Sequence, residues 1–171
     1  MRYFTLAREV GDLDEAAEDA LADAYVARRA EITPRLPPAL RTLAHDLYLH
    51  DAVVEVVTWQ PRTHRLTLEL VADERDGKSH LRLTLTYTDV RWDARQVEHV
   101  ARLMKKGCEI LRDEVDVEDG AVGAAPLYAH RLLLFPYDVV EVLFRALEIQ
   151  REPLASWPGA GHFRCEFRLL D

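Results

Sequence analysis

The clearest pattern in the chain is an alternation of apolar and polar residues between positions 52 and 88. Leucines occupy every second position from 66 to 70 and from 81 to 85, with polar residues between them. Because successive side chains of a strand point to opposite faces, this period of two indicates strands that bury one face only. We predict antiparallel strands over residues 52–59, 65–71 and 81–87, joined by short turns.

Apolar residues recur at helical spacing in two stretches before this alternation and in one stretch after it. The first predicted helix starts at Asp12 or Asp14, because a short carboxylate at the N-cap accepts hydrogen bonds from the amides of the first turn. A group of prolines ends this helix, and a second helix then continues to His50. The third predicted helix is capped by Asp93 and extends to about Lys105.

The second half of the chain predicts further strands over residues 109–117, 127–135 and 162–170. Residues 139–149 fit two patterns. A capping-box pattern and apolar positions three and four apart favour a helix, whereas alternation with one bulge favours a strand. The pattern of the residues leaves both alternatives open.

Together these elements predict a single α+β domain over residues 1–171. Residues 1–50 form a helical part, and residues 52–171 form a mainly antiparallel sheet with one helix near 93–105. We expect two to three helices, mostly N-terminal, packed on about six strands, which is a common sheet size.

Composition and charge limit the classes of function. The chain has 171 residues, of which 49% are hydrophobic and 30% charged, a balance typical of globular proteins. Its formal net charge of −8 argues against binding to nucleic acids or anionic membrane surfaces, which requires a basic surface. The same charge suits a basic protein partner, whose approach it would accelerate.

Two further features indicate a cytoplasmic protein. The longest strongly apolar stretch is only strand-sized, whereas a membrane span needs about 18 apolar residues. The two cysteines form no motif with each other, which is typical of a reducing compartment. Nothing in the sequence indicates the oligomeric state.

Five acids in seven positions form the densest acidic cluster: Asp113, Glu114, Asp116, Glu118 and Asp119. If this segment is a strand, its acids form an acidic edge or rim of the sheet. Charges on an edge strand commonly prevent aggregation. The functional alternative is that these five residues bind a basic partner.

The stretch HDLYLHD, residues 45–51, contains two His-Asp pairs. If the helix continues to its end, Asp46 and His50 are four positions apart and share one face. Imidazoles and carboxylates are common metal ligands, so His45, Asp46, His50 and Asp51 are candidate ligands. The alternative is an ordinary helix C-terminus, where imidazoles favour the dipole, followed by a corner into the first strand.

Motifs of other chemistries are missing from the sequence. There is no G-x-S-x-G elbow and no glycine-rich phosphate loop, and the chain has only seven glycines. On strand spacing, His162 and Cys165 point to opposite faces and do not form a ligand pair. The sequence therefore predicts no cofactor and no catalytic residue.

The opening MRYFT resembles the M-[KR]-Y-F-T start of an uncharacterised bacterial family of unknown function. The step His50-Asp51-Ala52 and the segment Asp113-Glu114-Val115 are further points of similarity. The resemblance implies helices first and an antiparallel sheet after them, and it favours a strand at 139–149. The plan also looks like that of small immunity proteins that neutralise bacterial toxins.

The leading hypothesis is thus a non-enzymatic, immunity-like binding protein with an acidic surface. The second hypothesis is a small metal-dependent hydrolase that uses His45, Asp46, His50 and Asp51.

Overall fold

The computed structural model describes residues 1–74, 79–105, 109–118, 125–156 and 165–171. It confirms the predicted α+β class. The helices are α1 Leu6–Glu9, α2 Glu15–Ile32, α3 Pro38–His45 and α4 Ala94–Leu103, with a 3-10 turn at Thr33–Arg35. The strands are β1 Ala52–Gln60, β2 Arg65–Asp73, β3 His80–Thr88, β4 Glu109–Glu118, β5 Leu127–Leu134, β6 Asp138–Phe144, β7 Ala146–Leu154 and β8 Glu166–Leu169.

Two aspartates set the starts of the long helices. The side chain of Asp14 accepts a hydrogen bond from the Ala17 amide at 2.8 Å and caps α2. Asp93 caps α4 in a reciprocal pair with Gln96, whose side chain accepts from the Asp93 amide. Both caps were among the predicted ones, because each satisfies amide groups that the first helical turn leaves without a partner.

The described residues contain eight strands, whereas the sequence predicted about six. The difference arises in residues 139–149, which form neither a helix nor one bulged strand. They contribute to two strands, β6 and β7, separated by Arg145 alone. Strand β6 pairs with β5, and β7 pairs with β3, so each half of the segment satisfies its backbone groups against a different neighbour.

The sheet is mainly antiparallel, as predicted. Its strands follow the order β6-β5-β4-β1-β2-β3-β7, and β8 pairs in parallel with β1. Strands β6 and β7 stand at opposite ends of this order although one residue joins them. The sheet must therefore curve until its ends meet at Arg145.

Backbone hydrogen bonds close the sheet at this junction. The Arg145 amide donates to the Thr88 carbonyl at 3.0 Å, and the Arg91 amide donates to the Leu143 carbonyl at 2.9 Å. Across the enclosed core, the rings of Tyr87 on β3 and Phe144 on β6 make an edge contact at 4.9 Å. The curved sheet thus brings distant strands into direct contact, which positions the polar groups described below.

Apolar side chains of the alternating strands fill the interior. Leu66, Leu70, Leu83 and Leu85 are completely buried, which confirms the predicted inward faces of β2 and β3. Full burial of each leucine contributes about 1.5–3 kcal/mol.

Candidate functional site

Strand β4 carries four of the five acids of the predicted acidic rim. Its alternation places Glu114, Asp116 and Glu118 on one face and Asp113 on the other, as expected for a strand. However, Glu114 and Asp116 are each only 1% exposed. The prediction of an exposed rim is therefore wrong for these two residues, and Asp119 lies outside the described residues.

Arginines from three parts of the chain explain why these carboxylates can be buried. Arg2 lies 2.8 Å from Asp116, and Arg28 on α2 lies 2.9 Å from the same carboxylate. Arg131 on β5 contacts Glu118 and also Glu141 on β6. We call these six residues the arginine–carboxylate layer: Arg2, Arg28, Arg131, Asp116, Glu118 and Glu141. A buried charge is tolerated when it is paired and hydrogen-bonded in this way.

The balance of charges in this layer also affects the arginines. Burial disfavours the charged form of Arg131, but its hydrogen bonds to Glu141 and Glu118 outweigh burial and raise its pKa above the usual value. Arg131 therefore keeps its positive charge at neutral pH. The layer offers a basic partner few unpaired carboxylates.

Glu114 has a different role, because it holds the N-terminal segment. Its carboxylate accepts hydrogen bonds from three successive backbone amides: Arg2 at 2.8 Å, Tyr3 at 2.6 Å and Phe4 at 2.7 Å. The rings of Tyr3 and Phe4 then pack on Tyr25 of α2, with centroids 5.4 and 4.9 Å away. Glu114 is thus a structural anchor.

Side chains of α2 also form hydrogen bonds with backbone groups of β4, beyond the point where β4 stops pairing with β1. Strand β1 pairs with β4 only at Ala52 and Val53. Beyond this point the Val115 amide donates to the Tyr25 hydroxyl at 3.2 Å, and Arg28 donates to the Val117 carbonyl at 3.3 Å. These bonds fix helix α2 against the sheet.

The opposite face of β4 contains a buried chain of hydrogen bonds. The Tyr87 hydroxyl lies 2.7 Å from Nδ1 of His130, and Nε2 of the same ring lies 3.3 Å from the Asp113 carboxylate. Tyr87 and His130 are completely buried, whereas the Asp113 side chain is 22% exposed. We call this arrangement the Tyr87–His130–Asp113 chain.

The direction of these hydrogen bonds follows from the two ends of the chain, the hydroxyl of Tyr87 and the carboxylate of Asp113. Burial, and then the negative charge of Asp113, raise the pKa of Tyr87 well above its usual value. Tyr87 therefore keeps its proton. A carboxylate can only accept, so Nε2 of His130 donates to Asp113, and the unprotonated Nδ1 of that tautomer accepts from the Tyr87 hydroxyl. Because the tyrosine is inaccessible, the chain has one end that solvent can reach, which is the carboxylate of Asp113.

Asp113 borders a cavity of about 270 Å³. Its walls are formed by Phe4, helix α2, the end of α3 with the segment that follows it, and β4. The polar and aromatic residues that line this Asp113 cavity include Tyr25, Arg29, Tyr48, His50, Arg112 and Asp113. Sequence reasoning missed this site, since its residues come from separate elements and form no local motif.

The HDLYLHD stretch does not form the predicted metal site. Helix α3 ends at His45, and Asp46 is its C-cap, so Asp46 and His50 do not share a helical face. Nε2 of His45 lies 2.8 Å from the Thr33 hydroxyl, and Nδ1 of His50 lies 2.7 Å from Asp51. In the part of the chain that the structure describes, no three His, Cys, Asp or Glu side chains are grouped closely enough to hold a metal ion.

The predicted corner at the end of this stretch is present. Asp51 adopts the left-handed conformation at φ 64°, which aspartate tolerates better than most residues. Its amide donates to the Ile110 carbonyl at 2.8 Å, and β1 begins at the next residue. The stretch also separates two cavities, since Asp46 borders one of about 280 Å³ and His50 borders the Asp113 cavity.

An accessible acidic surface lies elsewhere, at the start of α2. Residues 9–27 contain seven acids and no lysine or arginine. Only Tyr25 and Ile32 of the 18 residues of α2 are buried, so most of the helix faces solvent. We call residues 9–27 the acidic segment. The density of acids in this segment is visible in the sequence.

Comparison of the chain with protein-family models, with curated proteins and with solved structures finds no match. Among the described residues, no helix is both long and apolar enough to cross a membrane.

Proposed function

We propose that this protein is a non-enzymatic binding protein that contacts a basic partner protein through the acidic segment. The observation that carries this proposal is the location of the net charge. The acidic segment holds seven of the 30 acids and none of the 22 bases. The rest of the chain is therefore nearly neutral, and almost all of the net charge of −8 belongs to this one segment.

Helix stability alone does not account for these acids. Glu15, Asp19 and Asp23 are successive residues four positions apart on one face, and like charges at this spacing weaken a helix by about 0.2–0.5 kcal/mol per pair. Favourable interaction with the helix dipole fades after the first turn, whereas Asp19 and Asp23 lie beyond it. A basic partner would relieve the repulsion between them.

The acids of this face are also available to a partner. Asp12, Glu15, Glu18, Asp19 and Asp23 form no ion pair among the side chains that the structure describes. In contrast, Glu9 pairs with Arg112 at 2.8 Å, which removes it from the surface charge.

Apolar residues beside the acids supply contact area. Val26 lies on the same helical face as Glu15, Asp19 and Asp23 and is 55% exposed. Complementary charge accelerates association and sets orientation, while apolar contacts slow dissociation. An immunity-like role, in which an acidic protein neutralises a basic toxin, is the form of this function that the plan of helices before an antiparallel sheet and the acidic charge favour. The proposed location is the cytoplasm.

Binding of defined basic probes tests the proposal. A lysine-rich peptide and a set of small basic proteins are titrated into the isotopically labelled protein, and amide chemical shifts are followed. We expect shifts concentrated in residues 12–26. The triple variant Glu15→Gln, Asp19→Asn and Asp23→Asn should slow association at low salt by about tenfold or more, because it removes the steering charge.

The matched control neutralises three exposed acids elsewhere: Glu148→Gln, Glu152→Gln and Asp171→Asn. Both triple variants have the same net charge. If they weaken binding equally, or if the shifts spread evenly over the surface, total charge rather than the acidic segment governs binding and the proposal is wrong.

A further inference from the structure

The Asp113 cavity contains two opposite charges that the fold leaves incompletely paired. It shares no residue with the arginine–carboxylate layer and uses none of the exposed acids of the acidic segment. Its volume of about 270 Å³ corresponds to about nine water molecules. It is thus large enough for a small metabolite.

The positive charge is that of Arg29. Its guanidinium donates one hydrogen bond, to the Ala44 carbonyl at 3.2 Å, and lies 5.7 Å from the centre of the Tyr25 ring. Among the described side chains, no carboxylate pairs with it. A guanidinium has five N–H donors in a planar fork, so Arg29 retains the geometry that recognises a carboxylate in two-point fashion.

The negative charge is that of Asp113. Its side chain has one hydrogen-bonding partner in the described structure, the buried ring of His130, which contacts Oδ2. The hydroxyl of Tyr87 in turn holds the orientation of that ring through Nδ1. The Tyr87–His130–Asp113 chain therefore positions a carboxylate in the cavity wall, with its second oxygen available to a ligand.

These two charges do not neutralise each other. No ion pair joins Arg29 to Asp113, so their charged atoms are more than 4 Å apart. Both charges still act on the Tyr25 hydroxyl. Burial and then Asp113 raise the pKa of Tyr25 above its usual value, and Arg29 opposes this rise. Because both residues line the same cavity, it has a positive and a negative side.

Apolar side chains complete the wall. Leu43 and Leu49 are almost fully buried and border the cavity together with Leu47. A pocket with an apolar wall and a few converging polar groups is the usual form of a small-molecule site.

From this arrangement we propose that the Asp113 cavity binds a free α-amino acid with an aliphatic side chain. Its carboxylate pairs with Arg29, its ammonium group pairs with Asp113, and its side chain contacts the leucines. This site is independent of the proposed function, because it uses different residues and a different class of ligand.

Calorimetry with leucine and two of its derivatives tests the site on the unmodified protein. Leucine methyl ester lacks the carboxylate, and N-acetylleucine lacks the ammonium group. We expect millimolar or tighter binding of leucine, and at least about tenfold weaker binding of each derivative. Absence of leucine binding at millimolar concentration, or equal binding of all three compounds, would overturn the proposal.

Two variants locate the site. Arg29→Gln and Asp113→Asn should each weaken leucine binding about tenfold or more, whereas Arg95→Gln and Asp12→Asn, which change the same charges at exposed positions, should leave it unchanged. Near-ultraviolet circular dichroism checks that each variant is folded. If leucine binds all four variants with equal affinity, it occupies another site, and its assignment to the Asp113 cavity is wrong. The basic-probe titration of the Asp113→Asn variant should match that of the unmodified protein, so the two proposals can fail separately.

Discussion

The backbone amide of Tyr3 donates a hydrogen bond of 2.6 Å to the carboxylate of Glu114, although 111 positions separate the two residues. With the amides of Arg2 and Phe4, it forms a three-donor site that holds the N-terminal segment on β4. Glu114, one of the five acids that the sequence marked as a binding surface, therefore has its partners inside the fold.

Substitution of Glu114 should release this segment. In Glu114→Gln the carboxylate charge is lost, and with it the strength of three charge-assisted bonds, so we expect a loss of about 1–3 kcal/mol in the free energy of unfolding. Urea denaturation measures the loss. Hydrogen exchange should also accelerate at the amides of residues 2–4, and unchanged exchange there would contradict the anchoring role. Glu148→Gln, at an exposed position, is the control.

Loss of charge at Asp116 should be more costly. In Asp116→Asn, Arg2 and Arg28 lose the carboxylate that they share, and we expect a destabilisation of about 3–5 kcal/mol, as for a broken buried ion pair. The exposed substitution Asp12→Asn should stay within about 0.5 kcal/mol. Equal melting of the two variants would show that the buried pair contributes little.

The buried hydroxyl of Tyr87 gives a third prediction. Tyr87→Phe leaves Nδ1 of His130 without a donor in the core, which should cost about 1–3 kcal/mol. Thermal unfolding at neutral pH measures this change. Tyr137→Phe, at a position 45% exposed, should have no comparable effect.

The raised pKa of Tyr87 also predicts a dependence of stability on pH. Above about pH 10 the tyrosine of the unfolded chain ionises, while the buried one keeps its proton. The folded state then binds more protons than the unfolded state, so the free energy of unfolding falls by up to about 1.4 kcal/mol per pH unit. Urea denaturation at several pH values between 10 and 12 should give a flatter profile for Tyr87→Phe. Parallel profiles of the two proteins would contradict this assignment.

The acidic segment should gain stability when its repulsion is reduced. Asp19→Asn removes both like-charge pairs, with Glu15 and with Asp23, and should stabilise the protein by about 0.4–1 kcal/mol at low salt. Molar salt should abolish the gain, since it shortens the screening length to about 3 Å. If the gain in stability persists in molar salt, it does not come from repulsion between these acids.

Local patterns in the sequence predicted the parts of the fold that depend on neighbouring residues. The alternation around Leu83 and the caps at Asp14 and Asp93 were confirmed, because strand faces and first-turn amides are determined within a few positions. The end of α3 at His45 was missed, since apolar spacing continues past it through Leu47 and Leu49.

Long-range pairing explains what local patterns could not predict. Alternation on β4 is the same whether Asp116 faces water or a cluster of arginines, and the arginines come from positions 2, 28 and 131. Similarly, His130 meets Tyr87 and Asp113 only because the sheet curves. Residues 139–149 fitted both a helical and a strand periodicity. They form strands because they pair with β5 and β3.

The contacts of α2 with β4 have a consequence for biosynthesis. When Arg28 leaves the ribosome, Asp116 is 88 positions away, which corresponds to about 4–18 s at translation rates of 5–20 residues per second. During that interval the nascent helix lacks its docking surface. Dense negative charge keeps an undocked helix hydrated. The acids of the first turns would therefore protect the nascent chain from aggregation until β4 has been synthesised.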